Sequence, residues 1–464
     1  MVFAPLLAFL AYSFSPCQQQ RSNYQRVVER PNPNNGYEDY VRATDVVHSD
    51  ELDMLLWWRA EDYERMLANK KSVLSGQGGD SKESKSNWSV EDEARLVMAG
   101  QFHDLGFLGA QRLAAERFGG ALALIRAGNE KQVWDPREKL TLDTALPELA
   151  GFKTVVRLCC ADAYVRFAGG DTRGGTSDLL DGLTFAHRIG GNNLISELVS
   201  IACQSIVLAS FEQQLPHLSQ RDAAQVVKYT DAALLEPTSY LRSLQRERDV
   251  TVSNLDQILA DPGSWVTLAR DDGTHPNGLE AFMKGMSPRD RETLKEGLTR
   301  SLTDGYNRLI AKIGQGEATW AEKPADVPPS PAGFTTVQDV VDEFTRSIMP
   351  IHLQATSAVL KARAQLRLLG LHARVIDFRW KNNRLPKDLK EAVPEKLLFD
   401  PMGNEPFHYE LAGDAYKLYS KGLPATGPIE LRYRRPPTLP AQKDDPIPPG
   451  SAGSLACYGP RVSR

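Results

Sequence analysis

The sequence predicts a mainly α protein: an α-solenoid-like body of repeat-like helical hairpins, followed by a small C-terminal β-hairpin. Three observations predict it. Apolar residues recur at intervals of three and four through much of residues 90–382, the period that gathers them on one side of a helix. Breaks such as "GGDT" (169–172) and "GGNN" (190–193) separate these stretches, offering glycine for a helix end and Asp, Thr or Asn for the next cap. Apolar–polar alternation, the period of a half-buried strand, stands out at residues 407–420.

The chain of 464 residues is 41% hydrophobic and 25% charged, the balance of a soluble globular protein. A net charge of −4 with both signs interspersed provides no field to gather nucleic acid, so no nucleic-acid partner is expected. The arginines of "LRYRR" (431–435) read as a solvated chain end. Five cysteines, Cys17, Cys159, Cys160, Cys203 and Cys457, form neither a C-x-x-C pair nor a disulfide framework. Cys159, Cys160 and Cys203 lie in apolar helical patterns and read as small buried hydrophobes.

In chain order, residues 1–16 ("MVFAPLLAFLAYSFSP") form an uncharged apolar leader or membrane anchor, without the basic start of a secretory signal and short of a bilayer span. Residues 17–69 read as an N-terminal helical segment and 70–89, rich in Gly, Ser and Lys, as a flexible linker. The helical body covers 90–314, and a Pro-rich linker covers 315–336. A long helix and the hairpin fill 337–434. The proline-rich end from 435 to 464 has too little apolar content to order itself.

Within the body, Phe152, Val156, Cys160, Ala163 and Phe167 line one face of a helix over 152–168. Gly169 or Gly170 suits a left-handed helix end, and Asp171 or Thr172 caps a second helix ending "LLDGLTFAHRI". The third, 194–211, is apolar on nearly every side, but Glu197, Gln204 and several serines assign it to a buried core rather than a membrane. Further helices are expected at 221–235, 238–260, 287–312, 337–348 and 352–382. The last keeps Leu360, Ala364, Leu368, Leu371, Val375 and Phe378 in register.

After Asn382 and Asn383, Pro386 is expected to start a short helix carrying Leu389. Asp400-Pro401 begins a turn in which Gly403 permits a positive dihedral. Phe407, Tyr409 and Leu411 then alternate onto one face, and Tyr416, Leu418 and Ser420 return on the partner strand. The hairpin is too small to stand alone in water and should brace the long helix.

Three resemblances accompany these readings. The pair around "ADAYVRFAGGDT" resembles a tetratricopeptide unit through Ala163, Tyr164, Gly170 and Asp171, with two extra residues between and Gly174 near the place of a helical alanine. Arg384, Leu385 and Pro386, then Asp400, Pro401, Gly403, Asn404, Pro406 and Phe407, then Leu418, Tyr419, Ser420 and Gly422 resemble the C-terminal region of type II secretion major pseudopilins. The pseudopilin peptidase site and calcium-binding tail have no counterpart, so filament assembly is not implied. The order "PNNGYEDYVRA", "ALALIRAG", the capped pair, "LISELVSIACQSIVLASF" and the hairpin resembles a group of bacterial helical proteins predicted to be membrane-anchored, which implies a location and no chemistry.

For chemistry, the sequence has no G-x-x-x-x-G-K-[ST], H-E-x-x-H or G-x-S-x-G motif. His103-Asp104 matches the central pair of HD-type metal-dependent hydrolases, with His48 and Asp162 as candidates for the outer ligands. Its structural alternative is a capping pair in the "AGQFHDLG" turn. Asp271, Asp272 and His275 read as a solvated loop, and His187 as a residue favoured by a helix C-terminus. No residue is assigned a catalytic, cofactor-binding or metal role, and no cofactor is expected. The expectation is a non-enzymatic, envelope-associated interaction scaffold held at the membrane by its N-terminal segment, binding another envelope protein or peptide through residues 152–211. The alternative is a helical HD-type hydrolase using His103 and Asp104.

Overall fold

A computed structural model of the chain describes residues 32–58, 60–75, 89–137, 146–260, 278–317, 320, 333–402, 405–413, 415–423 and 427–433. The leader at 1–16, the tail from 435, Gly403, Asn404 and the Asp271, Asp272 and His275 loop lie outside them. The protein is mainly helical, with a small antiparallel sheet near the C-terminus.

The N-terminal part contains α1 (Gly36–Val46), α2 (Asp50–Leu56), α3 (Ala60–Ser75), α4 (Val90–Gly100), α5 (Phe107–Arg117) and α6 (Gly119–Asn129). Because α3 runs to Ser75, the expected linker at 70–89 begins as helix, and Lys70 Nζ meets Glu93 Oε1 on α4 at 2.7 Å. Asn35 caps α1 by accepting from the Tyr37 N–H. Its side-chain amide also donates to the Trp134 carbonyl at 2.9 Å and accepts from the Trp134 N–H, while the Gly36 N–H donates to the Gln132 carbonyl at 2.8 Å. The clamp requires glycine, since a Cβ on Gly36 would strike the Gly128 carbonyl oxygen. "PNNGYEDY" and "ALALIRAG" are thus two sides of one contact.

Behind them come α7 (Glu148–Ala168), α8 (Thr172–Arg188) and α9 (Leu194–Gln214). Gly170 is left-handed (φ 84°) and Asp171 caps α8, accepting from the Gly174 N–H at 2.8 Å. Phe152, Val155, Val156, Leu158, Phe185, Cys203, Val207 and Phe211 are essentially inaccessible, so α7–α9 are the middle of the core. Among the described residues, α9 with the following turn (Leu194–His217) is long and apolar enough to cross a membrane, but about two-thirds of it is buried within the protein. Glu197 shows how it is accommodated: its carboxylate accepts from the Gly191 N–H and the Ser239 and Ser243 hydroxyls.

Next are α10 (Gln220–Leu235), α11 (Ser239–Ser253), α12 (Leu255–Ala260), α13 (Leu279–Gly285), α14 (Pro288–Gly314) and α15 (Val337–Asn382). The helix expected over 238–260 is divided at Asn254, which caps α11. The break expected between 348 and 352 is absent. α15 continues through Pro350 for 46 residues, about 69 Å, because its two ends pack into different cores that hold the axis together. One core runs from Tyr37 to Tyr433; the other joins α12, α13, the first half of α14 and the start of α15. Residues of the expected Pro-rich linker are held as well: Trp320 is buried and donates to the Ile313 carbonyl, and Glu317 pairs with Arg363 and Arg367 of α15.

α15 ends where Asn383 turns left-handed (φ 53°). The short helix that follows is a 3₁₀ turn at Leu389–Glu391, capped by Asp388 rather than begun by Pro386. Strands β1 (His408–Ala412), β2 (Ala415–Ser420) and β3 (Ile429–Glu430) form the sheet in that order, with Tyr409 opposite Leu418 and Leu411 opposite Tyr416. The expected β1–β2 hairpin is formed, and β3 adds a third strand to it. The reading of "LRYRR" is corrected: Leu431 and Tyr433 are buried, and only the arginine between them is described as exposed.

Candidate interaction surface

Charge clusters built around buried carboxylates are the first place to look for chemistry, and here they tie helices together. On α6–α8, Arg126 meets Asp178 at 2.7 Å and Asp162 at 3.2 Å, while Arg166 meets the other oxygen of Asp178 at 2.7 Å and Asp171 at 3.1 Å. Burial and the neighbouring Asp162 push the Asp178 carboxyl up to about 6 in spite of both arginines. Below α1, Arg137 bridges Asp135 and Glu148 at 2.7 and 2.6 Å, and the Tyr37 hydroxyl donates to the same Glu148 oxygen. Each group spans elements distant in sequence, which is the work of a brace.

The HD-type set is not assembled. His103 Nδ1 sits 2.9 Å from the Gly100 carbonyl and its Nε2 3.0 Å from Asp104, with both side chains more than half exposed in the turn after α4. Asp162 is engaged by Arg126 and Arg166, and His48 is exposed beside α2. Among the described residues, no group of three or more His, Cys, Asp or Glu side chains is placed to hold a metal ion. His187, read from sequence as a helix-end residue, is largely buried, and desolvation beside Arg363 lowers it to about 4.

The segment expected to present a binding face, 152–211, directs most of its apolar residues inward. Tyr164, the tetratricopeptide-like position, is buried edge-on against Phe107, 5.6 Å between ring centres. Ile195, Leu198 and Ile201 remain partly exposed along α9. A recess on α14 is lined by Glu292, Lys295, Glu296, Thr299, Arg300 and neighbours, with both signs of charge on a single helix.

Helix α4 is different. Leu96 and Ala99 face inward, and the Ser89–Asp92 capping box fixes its first turn. Its opposite side carries Val90, 88% exposed, Val97, 60% exposed, and exposed Ala94 between them. Spacings of four and three put the three on one stripe. A solvated helix face is ordinarily charged, and isolated exposed apolar residues such as Leu235 need no explanation, but an apolar stripe does. Sequence reasoning missed it because Val90, Leu96, Val97, Met98 and Ala99 spread around the helix; only packing shows which are covered.

Comparison with protein-family models, curated proteins and solved structures finds no match.

Proposed function

We propose that the protein is an envelope-associated helical scaffold that works by binding another envelope protein or peptide, with residues 1–16 holding it at the membrane and the outer face of α4 as its docking surface. The observation that carries the reading is the stripe of Val90, Ala94 and Val97, whose apolar area is covered by nothing in this chain among the described residues. Exposed Glu91 and Arg95, four residues apart along one edge of the stripe, would supply polar rim on that edge of an apolar interface centre.

The test is a photo-crosslinking residue placed at 97, at 90 and, as a control for an exposed apolar position outside the stripe, at 235, in the full chain in its native membrane. The reading expects the same adduct from 90 and 97 and none from 235. No adduct from either stripe position, or equal capture from all three, would overturn it.

A further inference from the structure

The two apolar cores meet at a polar layer. On the main-core side, the Tyr240 hydroxyl donates to the His352 carbonyl at 3.0 Å and meets Thr356 Oγ1 at 2.9 Å. On the other, Tyr306 stacks edge-on against the His352 ring, 4.8 Å between centres, and its hydroxyl meets Thr251 Oγ1 at 3.3 Å. Ser301 and Thr345 hydroxyls join α14 to α15 at 2.8 Å close by, and Ile310 is the apolar residue that packs on both cores. Such a layer holds two bodies in register while resisting separation less than continuous hydrocarbon, because water can replace its hydrogen bonds when it opens.

Two helices cross this boundary without a break, and each carries a poor helix former there. Gly305 precedes Tyr306 in α14; Pro350 lies two residues before His352 in α15. Glycine inside a helix is costly because it frees the backbone, and proline brings no N–H, leaving the carbonyl four residues earlier without its helical partner. The contact between Tyr306 and His352 places the two weak points side by side. The third crossing, α11 to α12, is broken outright at Asn254.

We infer that residues 255–260, 279–304 and 337–348 form an arm that pivots on the main body about a hinge line through Gly305 and Pro350. Leu294, Leu298, Leu302, Val340, Val341 and Phe344 keep the arm rigid in itself, and a close approach at Gly297, where a Cβ would lie 2.9 Å from Val341, locks α14 to α15 within it. The hinge needs neither the α4 surface nor a partner, so it stands or falls apart from the proposed function.

The experiment measures spin-label distances in the full chain, with labels introduced by non-cysteine chemistry at Glu292 on the arm and Ser205 on α9, all three positions used being exposed. A body pair, Ser205 and Lys228, sets the width expected without a hinge. The arm pair is expected to give a broad or two-peaked distribution, and Gly305→Ala with Pro350→Ala to remove the second population and narrow the rest to the width of the body pair. Tyr306→Phe, which keeps the ring and removes the hydroxyl, is expected to broaden the distribution. An arm pair already as narrow as the body pair in the unaltered protein, or a breadth that the double substitution leaves unchanged, overturns the inference.

Discussion

Two leucines in the C-terminal sheet, one on each strand of the β1–β2 pair, separate the effect of burial from that of chemistry. Leu418 is 0% exposed, in the same apolar core as Leu368, Leu371 and Val375 of α15; Leu411, near the turn end of β1, is 45% exposed. Leu418→Ala removes methyl and methylene groups from a filled site and leaves a cavity, at a cost of about 2 to 5 kcal/mol. Leu411→Ala removes the same atoms from a site already half in water, with no enclosed cavity, and should cost about 1 kcal/mol or less. Urea unfolding of the full chain, followed by far-ultraviolet circular dichroism, measures both, provided the dependence on denaturant stays constant. Equal effects, or a near-zero change for Leu418→Ala, would show that the sheet stands free of α15 and that its brace is not formed.

Gly36→Ala should destabilise by about 2 kcal/mol or more, since the added methyl group meets backbone at Gly128; an unchanged unfolding midpoint would mean that the Asn35–Trp134 clamp opens freely. Burial holds His187 and His352 at about 4 and His372 at about 3, below the usual imidazole value, so the stability they contribute is complete above about pH 6.5 and is lost as pH falls toward 4. Asp178, raised to about 6, acts in the opposite sense, stabilising less as pH rises through that value. The three histidines give a loss of up to about 1.4 kcal/mol per pH unit each, and unfolding midpoints measured at pH 7, 5.5 and 4.5 should fall; midpoints independent of pH over this window would contradict the burial. His103→Ala and Asp104→Ala should each change stability by about 0.5 kcal/mol or less, and metal analysis of the purified protein should find no stoichiometric divalent ion; finding one that both substitutions remove would restore the HD-type reading.

The local features were legible where the signal is local. The Gly170 turn, the Asp171 cap, the buried reading of α9 and the alternation of Tyr416, Leu418 and Ser420 follow from neighbouring residues alone. Pro350 misled because a helix-breaking residue was weighed without the packing on either side of it. Tyr433 was hidden for a similar reason: among arginines it reads as solvated, yet it stacks on Tyr416 at 4.7 Å and accepts a hydrogen bond from Arg379. The Asn35 clamp and the Arg126–Asp178 pairing join residues 99 and 52 positions apart, and no periodicity reports such distances. The α4 stripe was the hardest to read, because an exposed valine and a buried one look alike in sequence.

Carbene footprinting of α4, on the full chain in its native membrane and again after purification, tests the proposed docking surface most directly. The scaffold account predicts that Val90 and Val97 are strongly protected in the membrane and become freely labelled in the purified protein, while Leu235 is labelled equally in both. Equal labelling of Val90 and Val97 in the two preparations would contradict it, showing that the stripe meets only water in the cell.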